Sequence, residues 1–414
     1  MKIPLLLILF WCCISGCNNS NADSKQPEDS LTYYPPTPAS IPKEEFREYV
    51  RQLNQFFDST LIGKGFNGSI LIAKNGNILF EKYEGKVDLR GSDLITDTTA
   101  FHIASTSKPF TAMAILGLVQ EGKFSLDDTL HKFFPDFPYP NITVKMLLNH
   151  RSGLPNYVYF IEHSKWDKTK YATNEDMLNI LYSDKPNKSF SPDKRFSYSN
   201  TNYVLLAMIV EKVTTKSYPQ YMQEKYFGPL NMDHTYVFTI KDTLTSTPSF
   251  SHNNAYWDFD FLDATYGDKN IYSTPRDLLK WDQALYTNQL FSKEMLELAF
   301  SAYSNERPSV HNYGLGWRLQ FLPNNKKVIY HFGKWHGFNA SFARLTDEGA
   351  TIIILGNRFN RSIYRAAQLC YDIFGDYHQG LNKADGESES AETPVSKKQL
   401  QQNNPGRLKK TGKE

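Results

Sequence analysis

The strongest constraint on the fold of this chain is the position of its strand-like segments, which lie near both ends. The runs SILIAK and NILFEKY are joined by Asn75-Gly76, a dipeptide that favours a two-residue hairpin turn. Four further runs, GWRLQFL, KKVIYHFG, ASFARL and ATIIILGN, occur late in the chain, and the turn DEG joins the last two. These segments predict one antiparallel sheet that is built from both ends of the chain.

The segments between and around the strands have helical spacing of apolar residues. They include TAMAILGLVQEG, TNYVLLAMIVEKV and PRDLLKWDQALY, while KEEFREYVRQLNQFFDSTL and RSIYRAAQLCYDIF lie outside the strands on either side. We therefore expect an α/β (α+β) domain over about residues 43–378. Its antiparallel sheet has five or more strands, helices flank the sheet, and a mostly helical region is inserted at about residues 111–300.

The two ends of the chain differ in character from this domain. Residues 1–16, MKIPLLLILFWCCISG, predict a secretion signal, because the apolar core is shorter than the ~20 residues that a bilayer span needs. The sequence ISGC resembles a bacterial lipoprotein signal, which implies lipidation at Cys17; ordinary cleavage or an uncleaved anchor is the alternative. Residues 17–42 predict a polar, proline-rich tether, and residues 379–414 predict a disordered tail.

Charge and cysteine content argue against nucleic-acid binding and against a disulfide framework. With 46 basic and 44 acidic residues the net charge is only +2, which offers no electrostatic footprint for nucleic acid. Removal of the signal and lipidation of Cys17 would leave Cys370 without a partner, so no disulfide framework is expected. We expect a protein of the bacterial cell envelope, held by its lipid at the outer membrane or facing the periplasm.

A Ser-x-x-Lys motif opens one of the predicted helices, in FHIASTSKPFTAMA. Helical spacing places Ser105 and Lys108 about one turn apart on one face, and the helix dipole and burial favour a neutral amine that accepts the serine proton. A capped helix with an exposed lysine is the alternative. The motif recurs without a long apolar helix at two other places, Ser40 with Lys43 and Ser191 with Lys194.

Two later motifs supply partners for such a serine. Tyr198-Ser199-Asn200 precedes a helical run; a tyrosinate beside a lysine can relay protons, and an asparagine can bind both a lysine and a substrate amide. His331-Phe332-Gly333 ends a strand, where glycine permits close approach of a ligand and the following backbone N–H groups can receive an oxyanion. A structural histidine and a bulge glycine are the alternatives at this motif.

In this order the motifs resemble the serine β-lactamase and penicillin-binding protein superfamily, in its class C β-lactamase-like branch, which includes D-peptidases and family VIII esterases. The likeness covers about residues 65–360 and includes LLNHRSGLPN, GDKNIYSTPRDLLKW and YGLGW. The resemblance implies a β-lactamase/transpeptidase-like fold and two-step acyl transfer to water without metal or cofactor. It implies the following roles: Ser105 as nucleophile, Lys108 as its activating amine, Tyr198 as general acid and base, Asn200 as orienting amide, His331 in place of the lysine of Lys-Thr-Gly, and an oxyanion site at the backbone of Ser105 and of Gly333-Lys334.

Two departures from the family pattern limit the prediction of the substrate. His331 is mostly neutral near pH 7 and anchors a carboxylate less well than lysine, which argues against an efficient β-lactamase. Lys334 stands where the branch usually has a small residue, so that either its bulk reshapes the pocket or its charge replaces the missing lysine.

We therefore predict an exported, lipid-anchored serine hydrolase that acts on a small ester or on a peptide containing D-amino acids, including cell-wall-derived ones. A weak β-lactamase, a penicillin-binding sensor without turnover and a purely structural lipoprotein are the alternatives.

Overall fold

The structure is a computed structural model that describes residues 37–287 and 289–377. Its strands are β1 (Gly68–Lys74), β2 (Asn77–Glu84), β3 (Phe101–His102), β4 (Tyr236–Val237), β5 (Ser249–Phe250), β6 (Tyr256–Trp257), β7 (Ile271–Ser273), β8 (His311–Tyr313), β9 (Arg318–Phe321), β10 (Lys327–Trp335), β11 (Phe338–Leu345) and β12 (Ala350–Gly356). Its helices are α1 (Lys43–Thr60), α2 (Lys108–Gln120), α3 (Val144–Leu148), α4 (Tyr157–His163), α5 (Asn174–Asp184), α6 (Asn200–Thr214), α7 (Tyr218–Met222), α8 (Pro275–Ala284), α9 (Lys293–Ala299) and α10 (Ser362–Cys370).

The central element is a seven-stranded sheet with the order β2-β1-β12-β11-β10-β9-β8, in which every neighbouring pair is antiparallel. Asn75 and Gly76 have φ angles of 49° and 76°, the left-handed values that a tight hairpin between β1 and β2 requires. The strand pair β1 and β12 joins the two ends of the chain, with Ile70 opposite Ile354. The predicted antiparallel sheet from both chain ends is confirmed.

The sheet separates two hydrophobic cores because successive side chains of a strand point to opposite faces. Ile70 and Ile72 pack on one face with residues of α1 and α10, including Phe57. Leu71 and Ala73 face the opposite side, where the larger core contains α2, α6 and α8. Helix α2 is apolar on all sides and almost wholly buried, as expected for a helix in the centre of a domain.

The region between β2 and β8 is mostly helical, as predicted, but it also contains two small sheets. These sheets have the orders β3-β7-β4 and β5-β6, with strands of two or three residues. Strands this short give no period-two pattern in the sequence, so they could not be predicted from it. Strand β3 pairs with β7 and ends at His102, and the chain then enters the turn before α2.

The predicted signal, the lipidation site Cys17, most of the tether and the predicted tail lie outside the described residues. Cys370 lies inside them and is a buried free thiol. None of the helices in residues 37–287 and 289–377 is long and apolar enough to cross a membrane.

Candidate active site

Ser105 and Lys108 meet at the buried start of α2. A short 3-10 turn, Ala104–Ser107, leads straight into the helix, so that one continuous turn carries both side chains. Lys108 Nζ lies 2.9 Å from Ser105 Oγ, and the lysine side chain is fully buried while Ser105 retains 7% exposure. The predicted pair is therefore assembled, with the hydroxyl at the edge of solvent and the amine behind it.

The orientation of the Lys108 amine is fixed by a second contact. Lys108 Nζ donates a hydrogen bond to the backbone carbonyl of Asp268 at 2.8 Å. Because a carbonyl can only accept, one N–H of the amine is held on Asp268. When the amine is neutral, its lone pair is then available to accept the proton of Ser105 Oγ.

The backbone before the serine has a conformation that alanine rarely adopts. Ala104 has a φ of 49°, in the left-handed region, and its N–H donates to His102 Nδ1 at 3.1 Å. The other ring nitrogen, Nε2, lies 3.0 Å from Asn270 Oδ1 and acts as the donor. Burial lowers the pKa of His102 to about 4, so the ring stays neutral in this tautomer. His102 and Asn270 thus support the turn that aims Ser105.

Strand β10 passes close to this turn, and Gly333 makes the approach possible. Pairing of β9 with β10 ends at Tyr330, so the rest of β10 has its second edge next to the Ser105 turn. A Cβ on Gly333 would lie 2.1 Å from the carbonyl oxygen of Ile103. Because no side chain fits in that space, the glycine is required for packing of the strand against the turn that carries Ser105.

The backbone of the Gly333-Lys334 segment is also held by a residue of α10. Tyr364 donates from its hydroxyl to the carbonyl oxygen of Gly333 at 2.8 Å. The Lys334 side chain extends to Phe359, with Nζ 5.4 Å from the ring centroid. Ser105 and Lys334 lie on elements packed together, and an oxyanion site at their N–H groups stays a prediction.

His331 lies behind the site rather than on its surface. The ring is fully buried; Nε2 lies 3.1 Å from the Tyr313 hydroxyl, and Nδ1 lies 2.7 Å from the carbonyl of Phe332. The carbonyl can only accept, so Nδ1 carries the proton and Nε2 accepts from Tyr313. Burial and the positive charges of Arg318 and Lys108 hold the pKa of His331 well below its usual range. The histidine is neutral, as expected from the sequence, and the group it orients is Tyr313.

Tyr198 completes the arrangement around the lysine. Its ring centroid lies 4.9 Å from Lys108 Nζ, and its ring packs on that of His150 with centroids 4.2 Å apart. The side chain is half-buried, consistent with access for a substrate. The sequence motif thus places the Tyr198 ring beside the amine, and a proton relay through its hydroxyl stays a prediction.

Asn200 begins α6, two residues after Tyr198. Its backbone N–H donates to Asn156 Oδ1 at 3.3 Å. Its own side-chain Oδ1 is buried and has no hydrogen-bond partner among the described residues. A buried acceptor without a donor is costly, which suits a group that a lysine ammonium or a substrate N–H satisfies during the reaction.

His150 is a structural support that the sequence analysis did not single out. Its Nδ1 accepts from Asn202 Nδ2 at 3.0 Å and from the backbone N–H of Ser199 at 3.3 Å. Burial and the positive charge of Lys108 keep the pKa of His150 well below its usual range. The neutral ring therefore fixes the segment that carries Tyr198. The only sequence signal for it was its place in LLNHRSGLPN.

One cluster of metal-type ligands occurs within the described residues. Ligand atoms of Asp260, Asp263 and His336 lie within 4.8 Å of one another. The carboxylate of Asp263 already accepts from Trp335 Nε1 at 2.6 Å and from His336 Nε2 at 2.9 Å. These hydrogen bonds engage both oxygens of the Asp263 carboxylate and tie it to the end of β10. That the reaction needs no metal or cofactor stays a prediction.

Comparison with known proteins shows the family of the chain. The family model described as Beta-lactamase matches residues 46–368. Penicillin-binding protein 4* of Bacillus subtilis is 31% identical over 367 residues, covering 83% of this chain and 81% of its own length.

Solved structures share the fold, among them the following two. A penicillin-binding protein from Bacillus halodurans superposes with a TM-score of 0.68 at 21% identity, covering 77% of this chain and 98% of its own. The D-amino acid amidase of Ochrobactrum anthropi SV3, solved with D-phenylalanine, superposes with a TM-score of 0.64 at 24% identity, covering 78% of this chain and 99% of its own. The chain belongs to the beta-lactamase family of serine hydrolases, with the penicillin-binding proteins among its relatives.

Proposed function

We propose that Ser105 is the nucleophile of a hydrolase that acts on esters or on amides and peptides of D-amino acids. The observation that carries the proposal is the 2.9 Å distance between Ser105 Oγ and Lys108 Nζ, with the amine anchored on the carbonyl of Asp268. A hydroxyl is a weak nucleophile until a nearby base removes its proton, and Lys108 is placed to do so.

The reaction proceeds by two acyl transfers. Lys108 takes the proton of Ser105 Oγ as this oxygen bonds to the substrate carbonyl carbon, and the backbone N–H groups of Ser105 and Lys334 stabilise the resulting oxyanion. Tyr198 then gives a proton to the leaving amine or alcohol as its bond to carbon breaks, and is reprotonated from Lys108. In the second half, water attacks the acyl carbon and gives its proton to Tyr198 as Tyr198 passes its own proton to Lys108. Lys108 then returns this proton to Ser105 Oγ as the bond between that oxygen and the acyl carbon breaks.

The class of substrate is supported by the relatives and by the polar groups of the site. One structural neighbour is a D-amino acid amidase that was solved with D-phenylalanine, and one sequence relative is a penicillin-binding protein. The buried acceptor of Asn200 suits a substrate that brings an N–H group, as an amide or an N-acylated amino acid does.

The nucleophile is tested by labelling and by turnover in parallel. Full-length protein is treated with a fluorophosphonate and with a fluorescent penicillin, and the modified peptide is identified by mass spectrometry. Hydrolysis is measured with p-nitrophenyl esters, D-phenylalanine amide, D-Ala-D-Ala peptides and nitrocefin. The Ser105→Ala variant is expected to lose labelling and turnover, whereas Ser191→Ala, in the exposed Ser-x-x-Lys motif, is expected to keep both.

Two results would contradict the proposal. Hydrolysis that persists in Ser105→Ala would show that another group performs the chemistry. Labelling at Ser105 by penicillin without turnover of any of these substrates would identify a penicillin-binding sensor instead of a hydrolase.

We further propose that the protein is exported and anchored to the bacterial cell envelope through lipid on Cys17. Support comes from the apolar residues 1–16, which end in ISG before the cysteine. Metabolic labelling with a palmitate analogue in a bacterial host is expected to label the full chain. The label is expected to disappear in Cys17→Ala and to persist in Cys13→Ala; labelling of Cys17→Ala would overturn the proposal.

A further inference from the structure

The ring of Tyr198 has two cationic side chains close to it. Lys108 Nζ lies 4.9 Å from the ring centroid, and the guanidinium carbon of Arg318 lies 5.5 Å from the same centroid. Arg318 is the first residue of β9 and pairs with Tyr330 of β10 on one side and with Tyr313 of β8 on the other. Pairing on both edges of β9 therefore fixes the backbone from which this guanidinium reaches the Tyr198 ring.

The two cations differ in their chemistry. A lysine amine can lose its proton, and Lys108 must do so before it can accept the proton of Ser105 Oγ. A guanidinium stays protonated throughout the pH range in which proteins are folded. Arg318 is therefore a permanent positive charge near Tyr198, whereas the charge of Lys108 changes during the proposed reaction.

The positive charge of Arg318 acts on other groups behind the site. Burial, and after it the charge of Arg318, hold the pKa of His331 well below its usual range. Burial and the charges of Lys108, His331 and Arg318 do the same to the pKa of His150. Both histidines are neutral at pH 7, so Arg318 is a source of positive potential that persists when Lys108 is unprotonated.

The remaining titratable groups around Tyr198 and Lys108 are buried, paired or in contact with solvent. Those packed against the two residues are His150 after α3, Tyr203 on α6, Asp268 and Lys269 before β7, Tyr313 on β8 and His331 on β10. Burial holds the pKa of Tyr203 well above its usual range, and Asp268 and Lys269 lie 3.9 Å apart with opposite charges. Further out, the solvent-filled cleft in front of Arg318 is lined by Lys194, Arg195, Glu306, Arg307 and His311. Solvent and salt screen the charges of that cleft.

We propose that Arg318 supports the proton relay electrostatically: its fixed charge keeps Lys108 an unprotonated amine and stabilises negative charge on the Tyr198 oxygen. A nearby positive charge disfavours a second one on the amine and favours loss of the phenol proton. Both effects extend the active range of the enzyme toward lower pH. Arg318 acts through Lys108 and Tyr198 and not on the substrate, and this inference rests on the proposed hydrolase function of Ser105.

The test is the pH profile of kcat/KM for p-nitrophenyl acetate, a neutral ester, between pH 5 and 9. Its p-nitrophenolate leaves without taking up a proton, so the acid limb reports the pH at which the Lys108 and Tyr198 pair can accept one. In Arg318→Gln this limb is expected to move to higher pH by about one unit. Below the limb kcat/KM is then about tenfold lower than in wild type, while the plateau at higher pH changes little. Circular dichroism at each pH checks that the protein is folded.

Three further variants separate the charge from the structure. Arg318→Met is a second neutral variant that keeps an apolar chain beside the ring, and it is expected to give the same shift. Arg318→Lys keeps a positive charge and is expected to return the limb to within about half a unit of wild type. Arg195→Gln removes an exposed guanidinium whose carbon lies 3.4 Å from the centroid of the Phe190 ring. It is expected to shift the limb by less than about 0.3 unit, because solvent screens that charge.

Two results would overturn the inference. An acid limb that stays in place in both neutral variants would show that Arg318 is only structural, since loss of structure lowers the rate at every pH alike. A shift in Arg195→Gln as large as that in Arg318→Gln would assign the effect to general positive charge. Hydrolysis that persists in Ser105→Ala would contradict the proposed function itself, whatever the position of the limb.

Discussion

Two buried lysines lie close to Asp268. One contacts its backbone carbonyl, and the other lies near its side-chain carboxylate. Lys108 bonds the backbone carbonyl of Asp268 at 2.8 Å and the hydroxyl of Ser105 at 2.9 Å. Lys269 lies 3.9 Å from the Asp268 carboxylate and bonds the hydroxyls of Tyr157 and Thr265. Both lysines are at most 2% exposed, so burial does not distinguish them.

The partners of the two lysines distinguish their roles. Lys269 has a carboxylate beside it and several acceptors around it, and such partners favour the charged form of an amine. Lys108 contacts a hydroxyl that can itself give up a proton. The loop that contains Asp268 therefore supports a structural ion pair with its side chain and the proposed base with its backbone.

Removal of the Lys108 amine gives the largest expected effect on activity. In Lys108→Met, kcat/KM for a p-nitrophenyl ester is expected to fall by about 10² to 10⁴, because the general base is lost. The free energy of unfolding is expected to change by less than about 2 kcal/mol, because relief from burying an amine offsets the loss of its hydrogen bonds to Asp268 and Ser105. Steady-state kinetics and urea unfolding measure the two quantities. Activity of Lys108→Met within tenfold of wild type would contradict the role of Lys108 as the general base.

Removal of the Lys269 amine is expected to act mainly on stability. Lys269→Met leaves the Asp268 carboxylate buried without its cation, which is expected to lower the free energy of unfolding by about 4 kcal/mol. The second substitution Asp268→Asn is expected to recover part of that loss, since the uncompensated charge is removed. A further loss of stability in the double variant, measured by urea unfolding, would refute the ion-pair assignment.

Acid is expected to lower the free energy of unfolding, because three buried histidines have lowered pKa values in the folded protein. The pKa of His102 is about 4, and those of His150 and His331 lie well below the usual value near 6.5. The unfolded chain therefore binds protons between about pH 6.5 and 4 that the folded chain does not, and stability falls as the pH is lowered through this window. For His102 alone the loss is on the order of 3 kcal/mol by pH 4.

Lys108→Met sharpens this prediction. The positive charge of Lys108 is one cause of the lowered pKa of His150 and of His331, so its removal is expected to reduce the acid sensitivity slightly. Urea unfolding at pH 7 and pH 4.5 for wild type and variant measures the difference. Equal stability of the wild type at both pH values would contradict the assignment of neutral, buried histidines.

The sheet and the Ser105–Lys108 pair could be predicted because both rest on local patterns. Alternation and the Asn75-Gly76 turn define the hairpin, and the spacing of three residues brings serine and lysine together on one helix. At Gly333 the sequence indicated close approach of a ligand, whereas the group that lies against this glycine in the structure is the backbone carbonyl of Ile103.

The supports of the site could not be predicted because they are not local. The carbonyl of Asp268 has no side-chain signature, and His102 matters only because the chain turns at Ala104 and brings Asn270 beside it. The burial of His331 behind Tyr313 depends on how β8, β9 and β10 pair. Such contacts follow from tertiary packing and leave no pattern in a single sequence.

The smallest expected effects come from two residues with left-handed backbone. One lies shortly before Lys108 in the sequence and the other directly after Lys269. Ala104 and Asn270 have φ angles of 49° and 74°. For alanine this conformation costs about 1 to 2 kcal/mol, whereas glycine accepts it at an entropy cost of about 0.5 to 1 kcal/mol. Ala104→Gly is therefore expected to stabilise the fold by about 0.5 kcal/mol.

Asn270→Gly is expected to have the opposite sign although the backbone angle is similar. The Asn270 side chain accepts from His102 Nε2 at 3.0 Å and donates to the carbonyl of Asp263 at 2.7 Å, so its removal leaves two buried groups without partners. The expected loss is about 2 kcal/mol. Thermal unfolding of the two variants measures both shifts. A gain in both would mean that backbone strain, rather than the side-chain contacts of Asn270, dominates at these turns, and that His102 does not depend on Asn270 to hold the turn that carries Ser105.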